Sequence, residues 1–244
     1  MLADLLAIVD ERRRLVEPPG RPYLIGITGS VAVGKSRLAA DLAHAVEGLG
    51  GMPTASIIEA DSFLLPNSII DEQGLTTRKG FPETYDVDAL RQTLAVLREG
   101  RGVEVPVYSH LVYDVMPGTT REVPPRDILI IDGLHLAAFA RDLIDVVVHI
   151  DAAEEDIELW YVERFRQLYR DALADPTSYY AAFTSMGEEA AVDLAGQVWR
   201  QINLVNLREH LEPQRTEADI IVLKASDHSI VAVTRQSGAW LRGR

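Results

Sequence analysis

Cysteine is absent from this 244-residue sequence. Its absence excludes disulfide bonds, thiolate catalysis and cysteine-ligated zinc, although it indicates nothing about the redox state of the compartment. Basic residues are scarce relative to acidic ones, because 24 Lys and Arg stand against 37 Asp and Glu and the formal net charge is −13. The long-range field of such a chain repels nucleic acid and anionic membranes, so we expect neither as a partner.

Long hydrophobic runs are missing from the start of the chain. Residues 1–20 carry Asp4, Asp10 and Glu11 between short apolar pieces, which is typical neither of a signal peptide nor of a membrane span. We therefore expect a cytoplasmic protein. An apolar stripe predicts a helix over residues 1–16, ended by Pro18-Pro19-Gly20. We predict this N-terminal helix and linker over residues 1–20 and a single domain over residues 21–244.

Short apolar runs alternate with helical patterns along the rest of the chain. Five strands are predicted, at residues 23–28, 55–60, 128–131, 146–150 and 220–223, and the last three are expected to be buried on both faces. Helices are predicted at residues 35–48, 87–98 with Asp86 as a possible cap, and 153–211 with an interruption near Asp175-Pro176. This alternation predicts an α/β fold with a mostly parallel central sheet between layers of helices.

A glycine-rich loop lies between the first predicted strand and the following helix. Residues 29–36 fit the phosphate-binding pattern G-x-x-x-x-G-K-[ST] at every fixed position, in the strand–loop–helix context that the pattern requires. Backbone N–H groups of such a loop and the helix N-terminus attract anions, Lys35 would reach the β- and γ-phosphates, and the Ser36 hydroxyl would hold magnesium. The alternative is a chance glycine turn, which the flanking elements disfavour. The predicted nucleotide site comprises Gly29, Ser30, Val31, Ala32, Val33, Gly34, Lys35, Ser36 and Arg37.

Two aspartates follow predicted strands. Asp132 closes a buried strand, where a P-loop protein places a carboxylate on the magnesium side, although it could instead cap the next helix or turn. Asp61 ends the second strand at the sheet edge where open α/β folds bind ligands, and it could accept a proton from an attacking hydroxyl. A turn or cap role for Asp61 is the alternative. The guanine-binding signature Asn-Lys-x-Asp is absent, which disfavours a GTPase switch.

The segment over residues 106–114 combines tyrosine, histidine and aspartate where a loop or short hairpin is expected. Tyr108, His110 and Tyr113 would suit a polar ligand with amide and hydroxyl groups, although packing roles for the tyrosines are equally compatible with the pattern. Lys79 precedes a Gly-Phe-Pro turn and could be a solvated loop residue.

Polar residues also occur on the later helical stretch. Tyr161 and Arg164 share one helix face, and Arg164 could lie over a triphosphate or form an ion pair with a neighbour such as Glu163. Asn203 and Asn206 lie on a mostly apolar helix, and their amides need partners if they are buried.

Taken in order, these stretches resemble the bacterial type I pantothenate kinases from about Tyr23 to about Lys224. The resemblance is carried by residues 26–36, Asp61 with Phe63-Leu64 and Pro66-Asn67, residues 78–83 with Tyr85-Asp86, residues 106–111 with Tyr113-Asp114, Trp160-Tyr161 with Arg164-Phe165, Pro176 with Ser178-Tyr179, and Trp199 with residues 202–204 and Asn206-Leu207. It implies a P-loop NTPase-like three-layer fold, in which one P-loop kinase domain has a helical lid and an acceptor region at about residues 61–120 and 160–210.

The resemblance also implies an activity. ATP and Mg²⁺ would serve to phosphorylate the primary hydroxyl of pantothenate, the first step toward coenzyme A, in a homodimer. Asp61 would be the base, Lys35 and Arg164 the phosphate ligands, and Ser36 the magnesium residue, with Asp132 acting on magnesium directly or through water. The pantothenate and effector pocket would be lined by Lys79, Tyr108, His110, Tyr113, Tyr161 and Asn203.

The sequence departs from this family at several positions. Asp132 stands where Glu is usual, His135 where Asn is usual, and Ser62 where glycine follows the base. Ala40 stands where members that coenzyme A inhibits usually carry a basic residue, so the resemblance does not extend to that inhibition. The chain before the P-loop is also shorter than usual. Two alternatives stay open: a related P-loop kinase for a nucleoside, glycerate or sugar phosphate, and a nucleotide-binding regulatory protein without turnover.

Overall fold

Eight strands form two sheets in the computed structural model, which describes residues 2–15, 21–49 and 53–236. The strands are β1 (Tyr23–Gly29), β2 (Ala55–Glu59), β3 (Val103–Ser109), β4 (Asp114–Val123), β5 (Ile128–Asp132), β6 (Val146–Asp151), β7 (Ile220–Lys224) and β8 (Ile230–Arg235). The main sheet has the order β2-β5-β1-β6-β7-β8, and all its pairings are parallel except that of β7 with β8. The five predicted strands and the mostly parallel sheet are confirmed.

The edge of the main sheet differs from the prediction. Strand β8 was not predicted, although residues 230–233 form a short apolar run, and its residues are partly or fully exposed in the structure. Strands β5 and β6 are buried as expected, but Leu223 of β7 is 40% exposed. The expectation of burial on both faces is therefore wrong at Leu223, which lies beside the edge strand.

Helices cover both faces of the main sheet. They are α1 (Leu2–Arg13), α2 (Lys35–Glu47), α3 (Asn67–Glu72), α4 (Val87–Arg98), α5 (Leu136–Ala140), α6 (Glu154–Ala172) and α7 (Glu188–Val198). The predicted cap of α4 is confirmed, since the Asp86 carboxylate accepts a hydrogen bond from the backbone N–H of Ala89 at 2.9 Å. The first helix ends at Arg13, earlier than the predicted residue 16, and the predicted terminator Pro18-Pro19-Gly20 lies outside the described residues.

The long helical stretch is interrupted as predicted and contains irregular turns. Helix α6 ends at Ala172, and a 3₁₀ segment (Tyr179–Met186) precedes α7. Helical structure then continues through two π-helical segments, Trp199–Asn203 and Leu207–Leu211. Among the described residues, no helix has the length and apolar character needed to cross a membrane.

Strands β3 and β4 form a separate antiparallel hairpin. The hairpin predicted near residues 106–114 is confirmed. It is longer than expected, since β4 continues through Pro117 and Gly118 to Val123. Proline is tolerated there, since a two-stranded sheet consists only of edge strands. The turn of the hairpin carries His110 and Tyr113.

The core has two layers, one on each face of the sheet. Residues of β1 alternate between them, as the two-residue period of a strand requires. Ile25 and Ile27 pack in the cluster that includes α1 and α2. Leu24 packs in the cluster that includes α4 and α5. The protein therefore has the three-layer arrangement that the sequence predicted, with the loop after β1 at the carboxyl edge of the sheet.

Candidate active site

The loop after β1 has a conformation that its glycines permit. Gly29 has a φ of 138° and Gly34 a φ of 90°. A Cβ atom at Gly29 would lie 2.5 Å from the carbonyl oxygen of Ile150, so both the backbone angle and the space require glycine. Lys224 supports the loop from β7, because its buried Nζ donates to the Val33 carbonyl at 2.9 Å.

Lys35 is held over this loop by a hydrogen bond from its Nζ to the Ser30 carbonyl at 2.8 Å. Burial lowers the pKa of Lys35 to about 8, while the charges of Asp132 and Asp61 oppose that fall and the charge of Arg164 reinforces it. The structure therefore brings the two predicted aspartates and the predicted arginine within electrostatic range of the P-loop lysine.

Ser36 and Asp132 meet at the start of α2. The Ser36 hydroxyl donates to Oδ2 of Asp132 at 2.6 Å, so the alternative that Asp132 caps the next helix is wrong. Asp132 is only 5% exposed, and its Oδ1 has no hydrogen-bond partner among the described residues. Burial raises the pKa of Asp132, against the opposing effects of Ser36 and Lys35.

This pair fits a magnesium ion. A buried carboxylate oxygen without a partner and an adjacent hydroxyl supply the hard oxygen ligands that Mg²⁺ prefers. The described ranges contain no group of three or more His, Cys, Asp or Glu that could hold a metal ion by itself. Such a sparse set suits Mg²⁺, which usually keeps several waters and binds through one or two protein groups together with substrate phosphates.

Asp61 lies in a 3₁₀ turn (Ala60–Phe63) directly after β2. Its Oδ1 accepts a long hydrogen bond, 3.4 Å, from the hydroxyl of Tyr85. Tyr85 is buried, and burial together with the Asp61 charge raises its pKa well above the usual value, so this hydroxyl remains a donor at neutral pH.

A cavity of about 840 Å³ opens beside the P-loop. Arg164 projects to it from α6, and no described carboxylate forms an ion pair with Arg164. Glu163 pairs with Arg166 instead, so the ion-pair alternative for Arg164 is wrong. The cavity is lined by Ala32, Gly34, Lys35, Ser36, Arg37, Glu59, His110, Leu159, Trp160, Glu163, Arg164, Gln167, Ser226 and His228.

Glu59 and His228 line this cavity and were not predicted from the sequence. Glu59 lies in register with Asp132 on the neighbouring strand, and burial, then the Asp132 charge, raises its pKa. His228 stacks on Trp160 with ring centroids 4.1 Å apart, and Trp160 Nε1 donates to the Ser226 carbonyl at 3.0 Å. A glutamate at a strand end and a histidine in a turn usually indicate solvent exposure, so no signal in the sequence distinguished them.

Lys79 lies within electrostatic range of Asp61. Its Nζ donates to Asn67 Oδ1 at 2.6 Å and to the Tyr113 carbonyl at 2.5 Å, and it lies 4.3 Å from the centroid of the Tyr113 ring. Burial lowers the pKa of Lys79 to about 8, although Asp114 and Asp61 oppose the fall. Lys79 is therefore not a solvated loop residue.

Aromatic rings surround this ammonium group. Tyr108 packs edge-on against His110, with centroids 5.1 Å apart, and against Tyr113 at 6.3 Å. Tyr113 also stacks on Tyr179 at 4.8 Å. Burial raises the pKa of Tyr113, and the charges of Tyr161 and Asp61 add to the rise, so these groups lie in one region.

Each asparagine of the late helix has a partner, but the buried Oδ1 of Asn206 has none among the described residues. The Asn203 side chain hydrogen-bonds to Tyr161 and lowers its pKa, against the larger effect of burial, which raises it. The Asn206 Nδ2 donates to the Gly80 carbonyl at 2.9 Å. The structure thus joins Asn203 to Tyr161 and links the late helix to the loop that carries Lys79.

Comparisons with known proteins agree with this arrangement. The model of the phosphoribulokinase/uridine kinase family matches residues 24–175. A pantothenate kinase of Parvibaculum lavamentivorans is 41% identical over 86% of this chain and 68% of its own length. A pantothenate kinase of Myxococcus xanthus is 43% identical over 87% of this chain and 71% of its own length.

Solved structures confirm the fold. D-glycerate 3-kinase from Cryptococcus neoformans superimposes with a TM-score of 0.70 over 97% of this chain and 99% of its own, at 14% sequence identity. This likeness and the family model confirm the predicted P-loop kinase fold, and the two bacterial relatives confirm the resemblance found in the sequence. The chain belongs to the phosphoribulokinase/uridine kinase family and, within it, to the pantothenate kinases.

Proposed function

We propose that this protein phosphorylates the primary hydroxyl of pantothenate with ATP and Mg²⁺, giving 4′-phosphopantothenate in the first step of coenzyme A biosynthesis. The observation that carries this proposal is the position of Asp61. Its charge acts on Lys35 at the phosphate side and also on Lys79 and Tyr113 at the acceptor side. A base that removes the proton from the acceptor hydroxyl must lie between the residues that bind phosphate and the residues that bind the acceptor.

The P-loop residues from Gly29 to Arg37 would hold the triphosphate. The backbone N–H groups and the start of α2 would face the phosphates, Lys35 would contact the β- and γ-phosphates, and Arg164 would meet the charge of the transferring group from the lid. Ser36 and Asp132 would hold Mg²⁺, which neutralises charge on the β- and γ-phosphates when bound. The stacked pair of His228 and Trp160 offers a flat apolar face to the nucleotide base.

On the other side, Asp61 would accept the proton as the hydroxyl oxygen of pantothenate bonds to the γ-phosphorus and the bond from that phosphorus to the β–γ bridging oxygen breaks. Lys79 offers an ammonium group to the pantothenate carboxylate. The remaining acceptor residues, Tyr108, His110, Tyr113, Tyr161 and Asn203, offer aromatic surface and hydrogen-bonding groups to its amide and hydroxyl.

Two further expectations belong to this proposal. The homodimer implied by the family resemblance is a prediction that light scattering of the purified protein tests directly. The cytoplasmic location is a prediction that fractionation of the source cells tests.

The proposal is tested by ADP release with Mg²⁺ and ATP, comparing pantothenate with a panel of nucleosides, glycerate and sugar phosphates. We expect turnover selective for pantothenate. Turnover only with another alcohol would retain the kinase and overturn the acceptor. The absence of turnover with every compound of the panel would favour a regulatory nucleotide-binding protein.

A further inference from the structure

The carbonyl of Gly80 receives two hydrogen bonds from buried side chains of distant segments. His135 Nε2 and Asn206 Nδ2 each lie 2.9 Å from this oxygen. His135 is 1% exposed and Asn206 is 5% exposed, so water does not compete for these contacts. Gly80 itself has a φ of 90°, a conformation that an L side chain rarely adopts. Two side chains from separate segments thus hold the backbone next to Lys79 at the carbonyl oxygen of Gly80.

The ring of His135 is held in one tautomer. Because Nε2 faces a carbonyl oxygen, Nε2 must carry the hydrogen, and Nδ1 is left as an acceptor. The side chain of Gln214 supplies the matching donor, since its Nε2 lies 3.3 Å from His135 Nδ1 and also donates to the His210 carbonyl at 2.6 Å. Burial lowers the pKa of His135 to about 4, which keeps the ring neutral at physiological pH.

His135 also packs against the residue that contacts the proposed base. Its ring meets Tyr85 edge-on, with centroids 5.9 Å apart, and the Tyr85 hydroxyl donates to Asp61. His135 immediately precedes α5 and lies three residues after Asp132. It therefore links the carboxyl end of β5 to the loop that carries Lys79 and Gly80. Its hydrogen bond to Gly80 and its ring contact with Tyr85 link it to the loop that carries Lys79 and to the proposed base.

We propose that His135 is a positioning residue for the acceptor: with Asn206 it fixes the Gly80 carbonyl and thereby holds the Lys79 ammonium group in the acceptor pocket. This inference rests on the proposed function, because it assigns Lys79 to pantothenate. It predicts that the late helix and the acceptor loop act as one unit in acceptor binding, while the P-loop is independent of them.

The test compares two substitutions at the same position. His135→Gln keeps a donor at the reach of Nε2, whereas His135→Leu fills similar volume without one. We expect His135→Leu to raise KM for pantothenate by about tenfold, the size expected for losing one of the two buried hydrogen bonds that fix the Gly80 carbonyl. His135→Gln should restore most of the wild-type KM. The KM for ATP and the dissociation constant of an ATP analogue should stay within about twofold in both variants.

A second readout is independent of turnover. We expect His135→Leu, and Asn206→Leu as a further variant, to accelerate amide hydrogen exchange over residues 76–84 while the exchange of α2 is unchanged. Equal KM values for pantothenate in His135→Leu and wild type, or equal rises in the KM of both substrates, would overturn the inference. If the wild-type protein does not use pantothenate, the proposed function fails. In that case unchanged amide exchange over residues 76–84 in His135→Leu would separately overturn the positioning role.

Discussion

The P-loop geometry gives a prediction that can be worked out from distances. Replacing Gly29 by alanine adds one methyl group at a backbone φ of 138°, 2.5 Å from the Ile150 carbonyl oxygen. That oxygen belongs to β6 in the centre of the sheet, so it cannot move aside as a flexible side chain would. Gly74 is a matched control, because it has a φ of 69° and nothing lies within 4 Å of an added Cβ.

Two costs add at Gly29, and only one applies at Gly74. An unfavourable backbone angle costs ~1–3 kcal/mol, and forcing an extra methyl group into packed structure costs a further ~1–3 kcal/mol. We therefore expect Gly29→Ala to lower the free energy of unfolding by about 4 kcal/mol. Gly74→Ala has only the left-handed backbone cost, ~1–2 kcal/mol.

Thermal unfolding of the two variants beside wild type measures this difference. For a chain of this size each kcal/mol shifts Tm by ~2–4 °C, so Gly29→Ala should unfold roughly 8–16 °C below wild type and Gly74→Ala roughly 2–8 °C below it. ATP analogues should also protect Gly29→Ala less, because its P-loop is displaced. Equal Tm shifts in the two variants would refute the argument that close approach of β6 requires glycine.

Three further predictions concern charge and metal. Burial lowers the pKa of Lys79 to about 8, so its charge is present below that pH and lost above it. With a saturating ATP analogue, the pantothenate dissociation constant measured by calorimetry should rise about tenfold per pH unit above 8. Lys79→Arg should flatten this profile, and an identical profile in that variant would exclude Lys79 as the cause. Ser36→Ala should raise the Mg²⁺ concentration for half-maximal turnover by about tenfold. Ser36→Thr should leave it unchanged, because only the hydroxyl is needed. Equal Mg²⁺ dependence of the two variants would show that Ser36 does not bind the metal. Lys35→Ala should weaken triphosphate binding by at least about tenfold and leave adenosine binding unchanged, since the ammonium meets phosphate and not base; equal losses in equilibrium binding of both ligands would contradict that role.

Much of the fold could be predicted because its signals are local. The P-loop of residues 29–36 combines a strand, glycines at strained positions and a helix start within a few residues, so its structure depends little on distant contacts. The buried runs of β5 and β6 are likewise typical of central parallel strands. Strand β8 was missed although residues 230–233 are apolar, and its antiparallel pairing with β7 at the edge of the sheet depends on contacts that a single short run does not encode.

The site could be predicted only in part, for a physical reason. Asp132 is the last residue of β5 and Asp61 lies in the turn after β2, and topology brings the ends of parallel strands to one edge. Glu59 and His228 reach the cavity through strand register and a turn conformation, which single-residue patterns do not encode. The role of His135 depends on three partners from separate segments, so the sequence showed only an unusual residue for the family.

The central claim is that Asp61 accepts the proton of the pantothenate hydroxyl. The most direct measurement is the turnover of Asp61→Asn with pantothenate, together with equilibrium binding of an ATP analogue to the same variant. The account predicts a loss in kcat of ~10²-fold or more with analogue affinity nearly unchanged, as expected for removal of a positioned base. Turnover like that of wild type, with intact nucleotide binding, would contradict it.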